Sequence, residues 1–305
     1  MPYNPLSGKY LDVMETQVDR WIKDNRWTDP QKAEKFHKHI ANKATCQWVG
    51  DWNTRPKEEA ARIANHAHAN NALYQIVLYN FPNRDTGGFS AGGAGSRQAY
   101  IAWVSAIAAG LGSRSGIIIV EPDAIAHAPE LDENSKNQRL SLLRETVVLL
   151  RKRCKHAYIY LDAGHSDWLD AGTALGLLLT AGVRFANGIS LNVSNSQWTK
   201  ECYNYGKRIV EGISEEHGIV IDTSRNGAGP PPPEQTGFNA FANPPSNRLG
   251  MAPTLRVPPP NIFSNRLHAL LWVKVPGESD GDYNGAPRAG MFWPEGAMRL
   301  VAGLS

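Results

Sequence analysis

Seven short apolar runs recur along the chain, near residues 45–49, 74–79, 116–121, 157–162, 186–191, 218–222 and 268–273. The clearest is Gly116-Ile117-Ile118-Ile119-Val120-Glu121. Ala157-Tyr158-Ile159-Tyr160-Leu161-Asp162 and His217-Gly218-Ile219-Val220-Ile221-Asp222 follow closely. They read as continuous apolar runs rather than as alternations, the pattern of strands buried on both faces. Amphipathic stretches of helical length separate them, at about 30–42, 56–70, 96–112, 134–154, 168–182 and 199–216, with a last one near 287–302. This alternation predicts an α/β fold, a parallel sheet covered by helices.

Seven such strands could form an open doubly wound sheet or a closed barrel, and the polar residues favour the barrel. Nearly every run ends in a chemically distinctive cluster: Trp48 and Asp51, Tyr79 to Asp85, Glu121-Pro122-Asp123, Asp162-Ala163-Gly164-His165, Asn192 to Asn195, Asp222 to Arg225, and Trp272 to Asp280. Clusters at all seven C-terminal strand ends converge only if the strands form a ring. In an open sheet only the loops at the switch point would meet. The connection from Thr223 to about Arg266 is unusually long, and Pro230 to Pro233 and Pro258 to Pro260 stiffen it. Loops of that length in compact domains are usually functional or disordered, and the prolines make this one a candidate cleft wall.

The chain has 305 residues, 42% of them hydrophobic, enough for a full core. With no internal repeat or linker, residues 1–305 read as one domain. The net charge of +3 is scattered. The densest basic run, Arg151 to His156, closes a predicted helix, where cations complement the macrodipole. Nucleic acid is therefore not an expected partner. No run reaches the roughly 18 apolar residues of a membrane span, and Met1 to Pro5 lacks a signal-peptide pattern. The three cysteines form no disulfide framework. The nine tryptophans serve either core packing or flat contacts in a sugar-binding cleft.

Several chemistries can be set aside. Gly88-Phe89-Ser90-Ala91-Gly92 has the G-x-S-x-G spacing, but a nucleophile elbow places its Ser directly at a strand end. Here Phe81 to Asp85 intervene. The glycine-rich stretch from Gly87 to Gly95 lacks the Gly-Lys-Ser/Thr ending of a phosphate loop, and His66 and His68 lack zinc-helix spacing. No metal or cofactor is expected. Four aspartates remain at strand ends: Asp85, Asp123, Asp162 and Asp280. Glycoside hydrolysis needs one carboxyl held protonated and a second anionic group. Asp123, after an apolar strand and Pro122, stands where burial would raise a carboxyl's pKa. A helix cap explains the same residue equally well on spacing alone.

Taken together, six ordered strings resemble the signature set of glycoside hydrolase family 6. They are Tyr79 to Asp85, Val120 to Asp123, Tyr160 to Trp168, Asn192 to Asn195, Ile221 to Gly227, and Trp272 to Gly281. The resemblance implies a distorted, incompletely closed parallel β/α barrel, similar to a TIM barrel. It also implies inverting hydrolysis of β-1,4 links in cellulose without a cofactor. By match, Asp123 resembles the general acid, Asp85 the neighbour that keeps it protonated, and Asp280 the residue proposed as general base. Asp162 resembles a carboxylate that orders the site. Tyr79 would lie beneath the sugar at the cleavage point, and Arg84 would bind the substrate. Trp48, Trp168 and Trp272 would contact sugar rings, with core packing the equal alternative for Trp272. His165, Asn192, Arg225, Lys274 and Glu278 would bind hydroxyls.

Thr86, Ala242 and Asp282 stand where the family usually has cysteines, so both customary disulfides are absent. Phe241 replaces a Trp and would stack over a smaller area. The stretch from Asp280 to Met291 is too short to roof a cleft. An open cleft admits the middle of a polymer, so the expectation is an endo-β-1,4-glucanase acting on a β-1,4-glucan as a monomer. An exo-acting cellobiohydrolase and a catalytically silent glucan-binding protein are the alternatives. The resemblance favours an extracellular location, and the scarcity of cysteines a cytoplasmic one.

Overall fold

The computed structural model describes residues 4–84, 91–235, 237–256 and 263–304. All seven predicted runs are strands: β1 (Gln47–Val49), β2 (Tyr74–Leu78), β3 (Gly116–Val120), β4 (Ala157–Asp162), β5 (Gly188–Leu191), β6 (Gly218–Asp222) and β7 (Leu267–Leu271). They form one sheet in chain order, every adjacent pair parallel. Eight α-helices accompany them among the described residues: α1 (Gln17–Asn25), α2 (Pro30–His39), α3 (Pro56–Ala69), α4 (Arg97–Leu111), α5 (Glu133–Arg153), α6 (Ala171–Thr180), α7 (Thr199–Glu211) and α8 (Pro294–Leu300).

The sheet curls into a distorted, incomplete barrel. Tyr160 on the central strand β4 meets His268 on the edge strand β7, with its hydroxyl 2.8 Å from His268 Nδ1, and a flat sheet could not bring them together. The two edges meet just past the end of β7. There the Cys46 N–H donates to the Trp272 carbonyl (3.0 Å) and the Trp48 indole N–H to the Val273 carbonyl (2.8 Å). Successive strand residues point to opposite faces. Val77, Ile117, Ile119, Val220 and Leu271 therefore fill the interior. Ile76, Ile118, Val120, Leu161 and Ile221 pack outward under the helices. Gly218 makes room for the interior imidazole, because a Cβ there would lie 2.1 Å from His268 Nε2.

The N-terminal segment closes the barrel end opposite the polar clusters. Leu6 is fully buried in the interior cluster, and Asn4 donates to the His268 carbonyl at 2.9 Å. The patterning missed helix α1, a short and mostly polar segment. Its signal lay in the cap, where Asp19 accepts the Thr16 N–H at 2.8 Å. Trp21 of α1 packs edge-on against Phe36 of α2. Helix α8 is shorter than the predicted 287–302, because Pro294 sits in its first turn, where a helix tolerates proline. Residues before it pair instead with the 278–279 segment: Ser279 N–H donates to Met291 and Gly290 N–H to Ser279. No helix among the described residues is long and apolar enough to cross a membrane.

Leu6→Ala should lower unfolding stability by about 2–5 kcal/mol, the range for a buried leucine whose cavity cannot collapse. Urea denaturation followed by tryptophan fluorescence measures it. A loss under about 1 kcal/mol, the scale of an ordinary surface change, would show that the segment does not plug the barrel.

Candidate active site

Site construction begins with Glu121, at the end of β3 and fully buried. Its carboxylate accepts the N–H groups of Asn80 and Phe81 at 3.0 Å and the Tyr100 hydroxyl at 2.8 Å. Burial pushes its pKa up to about 7, against the pull of those donors. Glu121 thereby ties the β3 end to the loop that follows β2. Asp123, two residues on, is half-buried at the barrel mouth. Glu121 and Asp123 both have left-handed backbones, φ +46° and +71°. Such conformations cost on the order of 1–3 kcal/mol each and persist only where the surroundings enforce them.

Asp162 supplies part of that enforcement. It is buried at the end of β4 and accepts the Asp123 N–H, the Gly164 N–H and the Ser190 hydroxyl, each at 3.0 Å. Burial raises its pKa, and the nearby Asp222 adds to the rise. Asp222, buried at the end of β6, accepts four main-chain N–H groups, those of Ser194 and Ser224 at 2.9 Å, Lys274 at 3.0 Å and Val273 at 3.2 Å. Burial raises its pKa too.

Asp280 is the electrostatic opposite. Arg225 Nη1 lies 2.6 Å from Oδ2, Lys274 Nζ 3.0 Å from Oδ1, and the Asn243 N–H donates at 2.9 Å. Burial alone would raise this acid, but the two cations and the Asn243 N–H prevail and hold it at about 2. Asn243 also receives the Asp280 N–H on its side-chain oxygen at 2.8 Å and donates to the Gly281 carbonyl at 2.9 Å. The long connection after β6 does reach the site, through this residue. A cavity of about 40 Å³ lies behind the clamp, lined in part by Arg225, Asn247, Lys274 and Glu278.

Aromatic and polar side chains surround the carboxylates. Trp48 and Tyr79 meet edge-to-face at 5.2 Å. The Arg84 guanidinium lies over both Tyr79 and Trp52, while donating to Asp51 at 2.9 Å and to the Tyr79 carbonyl at 3.2 Å. Trp168 is half-buried between His127 and His165. Gly164, at φ +69°, keeps its place empty beside that indole, since a Cβ would approach Trp168 to 3.3 Å. Burial lowers the His165 pKa to about 4, so the ring is neutral near pH 7. Its Nδ1 accepts the Asp167 N–H, which leaves the proton on Nε2.

Some expected contacts change. Trp272 is only 2% exposed and donates its indole N–H to the Met251 carbonyl, so it packs beneath the site instead of against a sugar. Asn192 is fully buried with both ends of its amide engaged, donating to the Asp222 carbonyl and accepting the Gln197 N–H. It shapes a loop and does not face the cleft. The Asp162 oxygens likewise turn inward, which fits ordering of the site and not sugar contact. Arg225 and Lys274 are committed to Asp280. Glu278 accepts from Gln17 of α1 at 2.7 Å. Phe241 is 53% exposed. Asp85 and Thr86 lie outside the described residues, as do Pro258 to Pro260.

Sequence reasoning passed over Asp222, Asn243, Trp52 and Trp198. The last two are 51% and 49% exposed, and exposure of an indole cannot be read from spacing. For Asp222 a signal existed: it ends a fully apolar strand, as Asp162 does. Among the described residues no group of three or more His, Cys, Asp or Glu could hold a metal.

The model of the glycosyl hydrolases family 6 matches residues 9–303. Endoglucanase 1 of Streptomyces halstedii is 32% identical, over 99% of this chain and 91% of its own length. Endoglucanase A of Cellulomonas fimi is 36% identical, over 97% of this chain and 61% of its own length. Among solved structures, the endoglucanase Cel6 of Mycobacterium tuberculosis, in complex with methyl-cellobiosyl-4-deoxy-4-thio-β-D-cellobioside, superposes with a TM-score of 0.86. It is 36% identical, with 97% of this chain and 98% of that one covered.

The buried acids set a pH dependence of stability. Glu121 ordinarily titrates at 4.5 and is raised to about 7 in the fold. Unfolding therefore releases a proton between those values, so the stability this group adds is full below 4.5 and lost as pH rises through 7. Asp280 has the opposite sign: lowered from 3.8 to about 2, its contribution is present above 3.8 and lost as pH falls through 2. The Tm difference between about pH 5 and about pH 8 should be smaller in Glu121→Gln than in the native chain. Calorimetry showing an unchanged difference would exclude Glu121 as its source.

Proposed function

The chain belongs to the glycosyl hydrolases family 6, and from that membership we propose that it is an inverting endo-β-1,4-glucanase with Asp123 as its general acid. The observation that carries the catalytic reading is the placement of Asp123: a half-buried carboxyl on a strained turn whose backbone is held by Asp162. In this reading Asp123 donates its proton to the glycosidic oxygen as the bond breaks. Asp85 keeps that proton in place through like-charge proximity.

Asp280 would face the other side of the sugar ring. Two cations hold it ionised wherever an acid catalyst is still protonated. The same clamp makes it a weak base, since an acid at about 2 has little affinity for a proton. Its part is therefore to orient the attacking water and to balance the positive charge that develops on the ring, while the proton that this water loses as its oxygen bonds to the anomeric carbon passes to bulk water. His165, neutral and with its proton on Nε2, offers a donor to a sugar hydroxyl. Glu278 offers an acceptor. Trp48, Trp168, Phe241 and Trp198 are the candidate faces for glucose rings, with Tyr79 beneath the cleavage point.

The endo assignment rests on the 280–291 segment. It folds back on its own base, with Glu278 bridging Phe292 and the Ser279 hydroxyl within hydrogen-bond distance of the Gly281 and Pro287 carbonyls, and so provides no roof. The relatives named endoglucanases support the same reading. A polymeric β-1,4-glucan cannot enter a cell, and this supports the reading that the enzyme works outside it. We read residues 1–305 as one catalytic domain acting as a monomer without a cofactor.

Asp123→Asn should cut reducing-end release from carboxymethyl cellulose by about 10²–10⁴-fold, the usual contribution of a general acid. Equal low rates for native chain and variant would leave a glucan-binding protein. In the native reaction viscosity should collapse early; steady viscosity with accumulating cellobiose would mark an exo enzyme instead. Proton NMR of fresh products should show the α-anomer first, and a β-anomer would refute inversion.

A further inference from the structure

Asp222 has no part in the chemistry described above, yet its carboxylate accepts four main-chain N–H groups. Its Oδ1 accepts the N–H groups of Ser224 and Val273, and its Oδ2 those of Ser194 and Lys274. These four amides come from the three loops after β5, β6 and β7. Each loop delivers one component of the clamp on Asp280. Ser224 precedes Arg225, whose Nη1 binds Asp280 Oδ2. Lys274 carries the ammonium on Asp280 Oδ1. Ser194 lends its carbonyl to Arg225 Nη2, which fixes the guanidinium from behind. Even the Asp222 carbonyl is used, receiving the Asn192 amide at 2.9 Å. Ser194 and Asn192 are held at φ +57° and +64°, conformations that need such external support.

We propose that Asp222 is the positioning residue that assembles the Arg225–Lys274 clamp and so fixes the place and charge of Asp280. A single carboxylate does this because it offers acceptors in four directions and no donor. An amide of the same shape cannot. In either orientation an asparagine turns an NH₂ group toward two of the four N–H donors, so two bonds are lost whichever way it sits. Released from Asp222, the loops after β5, β6 and β7 would no longer hold both cations on Asp280.

The inference rests on the reading of Asp280 as a group that acts on the reacting sugar, and a double-mutant cycle separates the two. Asp222→Asn, Asp280→Asn and the pair are compared for kcat and KM on a soluble cello-oligosaccharide, with circular dichroism to confirm folding. Asp222→Asn should lower kcat about a hundredfold, the scale for a catalytic group displaced by about 1 Å, with KM little changed. In the double variant the two losses should not multiply, because Asp222 works through Asp280. Losses that multiply, or an Asp222→Asn enzyme with native kcat, would overturn the inference alone. If Asp280→Asn by itself kept native kcat, the reading of Asp280 would fall and the inference with it. Should Asp222→Asn not fold, Asp222→Glu enters the same cycle, since it keeps the charge but carries it one methylene too far.

Discussion

The site depends on buried carboxylates bonded to main-chain N–H groups. Glu121, Asp162 and Asp222 stand at the ends of β3, β4 and β6, each almost wholly out of water. Each holds N–H groups of a loop other than its own. An unpaired buried charge would be intolerable, and here several N–H dipoles replace the lost hydration. The return is geometric. A short parallel strand fixes where a loop starts, and the carboxylate fixes where it goes next. The cluster of left-handed residues at this face, among them Glu121, Asp123, Asn192, Ser194 and Asn243, is the strain those bonds sustain.

The same face treats two other aspartates in opposite ways. Asp123 donates its backbone N–H to Asp162. Asp280 is gripped by its side chain, between Arg225, Lys274 and the Asn243 amide. A carboxylate between two cations stays ionised at a pH where a free carboxyl would be protonated. In the proposed mechanism Asp123 gives its proton to the leaving oxygen, and Asp280 is already charged when the water attacks.

The resemblance to the family implied disulfides that this chain lacks, and its three cysteines are buried and free. Two of the segments that carry those positions, around Ala242 and Asp282, are nonetheless tied. Asn243 donates to the Gly281 and Tyr283 carbonyls, and Asn284 donates back to Ala242. Hydrogen bonds between the same two segments hold the wall that carries Phe241 beside the loop that carries Asp280. Such a tie does not depend on the redox state of the medium.

The sequence by itself determined the order of elements and the barrel. Apolar runs such as Gly116 to Val120 fit strands buried on both faces, because they are short and rich in β-branched residues. It also determined that chemistry gathers at strand ends, because Asp123, Asp162 and Asp280 each follow a run. Helix α1 escaped because it is short and mostly polar, with only Val18 buried, and its cap pairs Thr16 with an Asp, not the usual Glu. Tertiary structure alone decided which polar groups face the cleft. Trp272 and Trp168 both follow strand ends, yet one packs inward against Met251 and the other stands between two histidines. Asp222 and Asp280 are the same residue type at neighbouring strand ends, yet one binds only amides and the other only cations and an amide. Burial and partner choice depend on loops that are distant in sequence, and no local pattern encodes which of them will arrive.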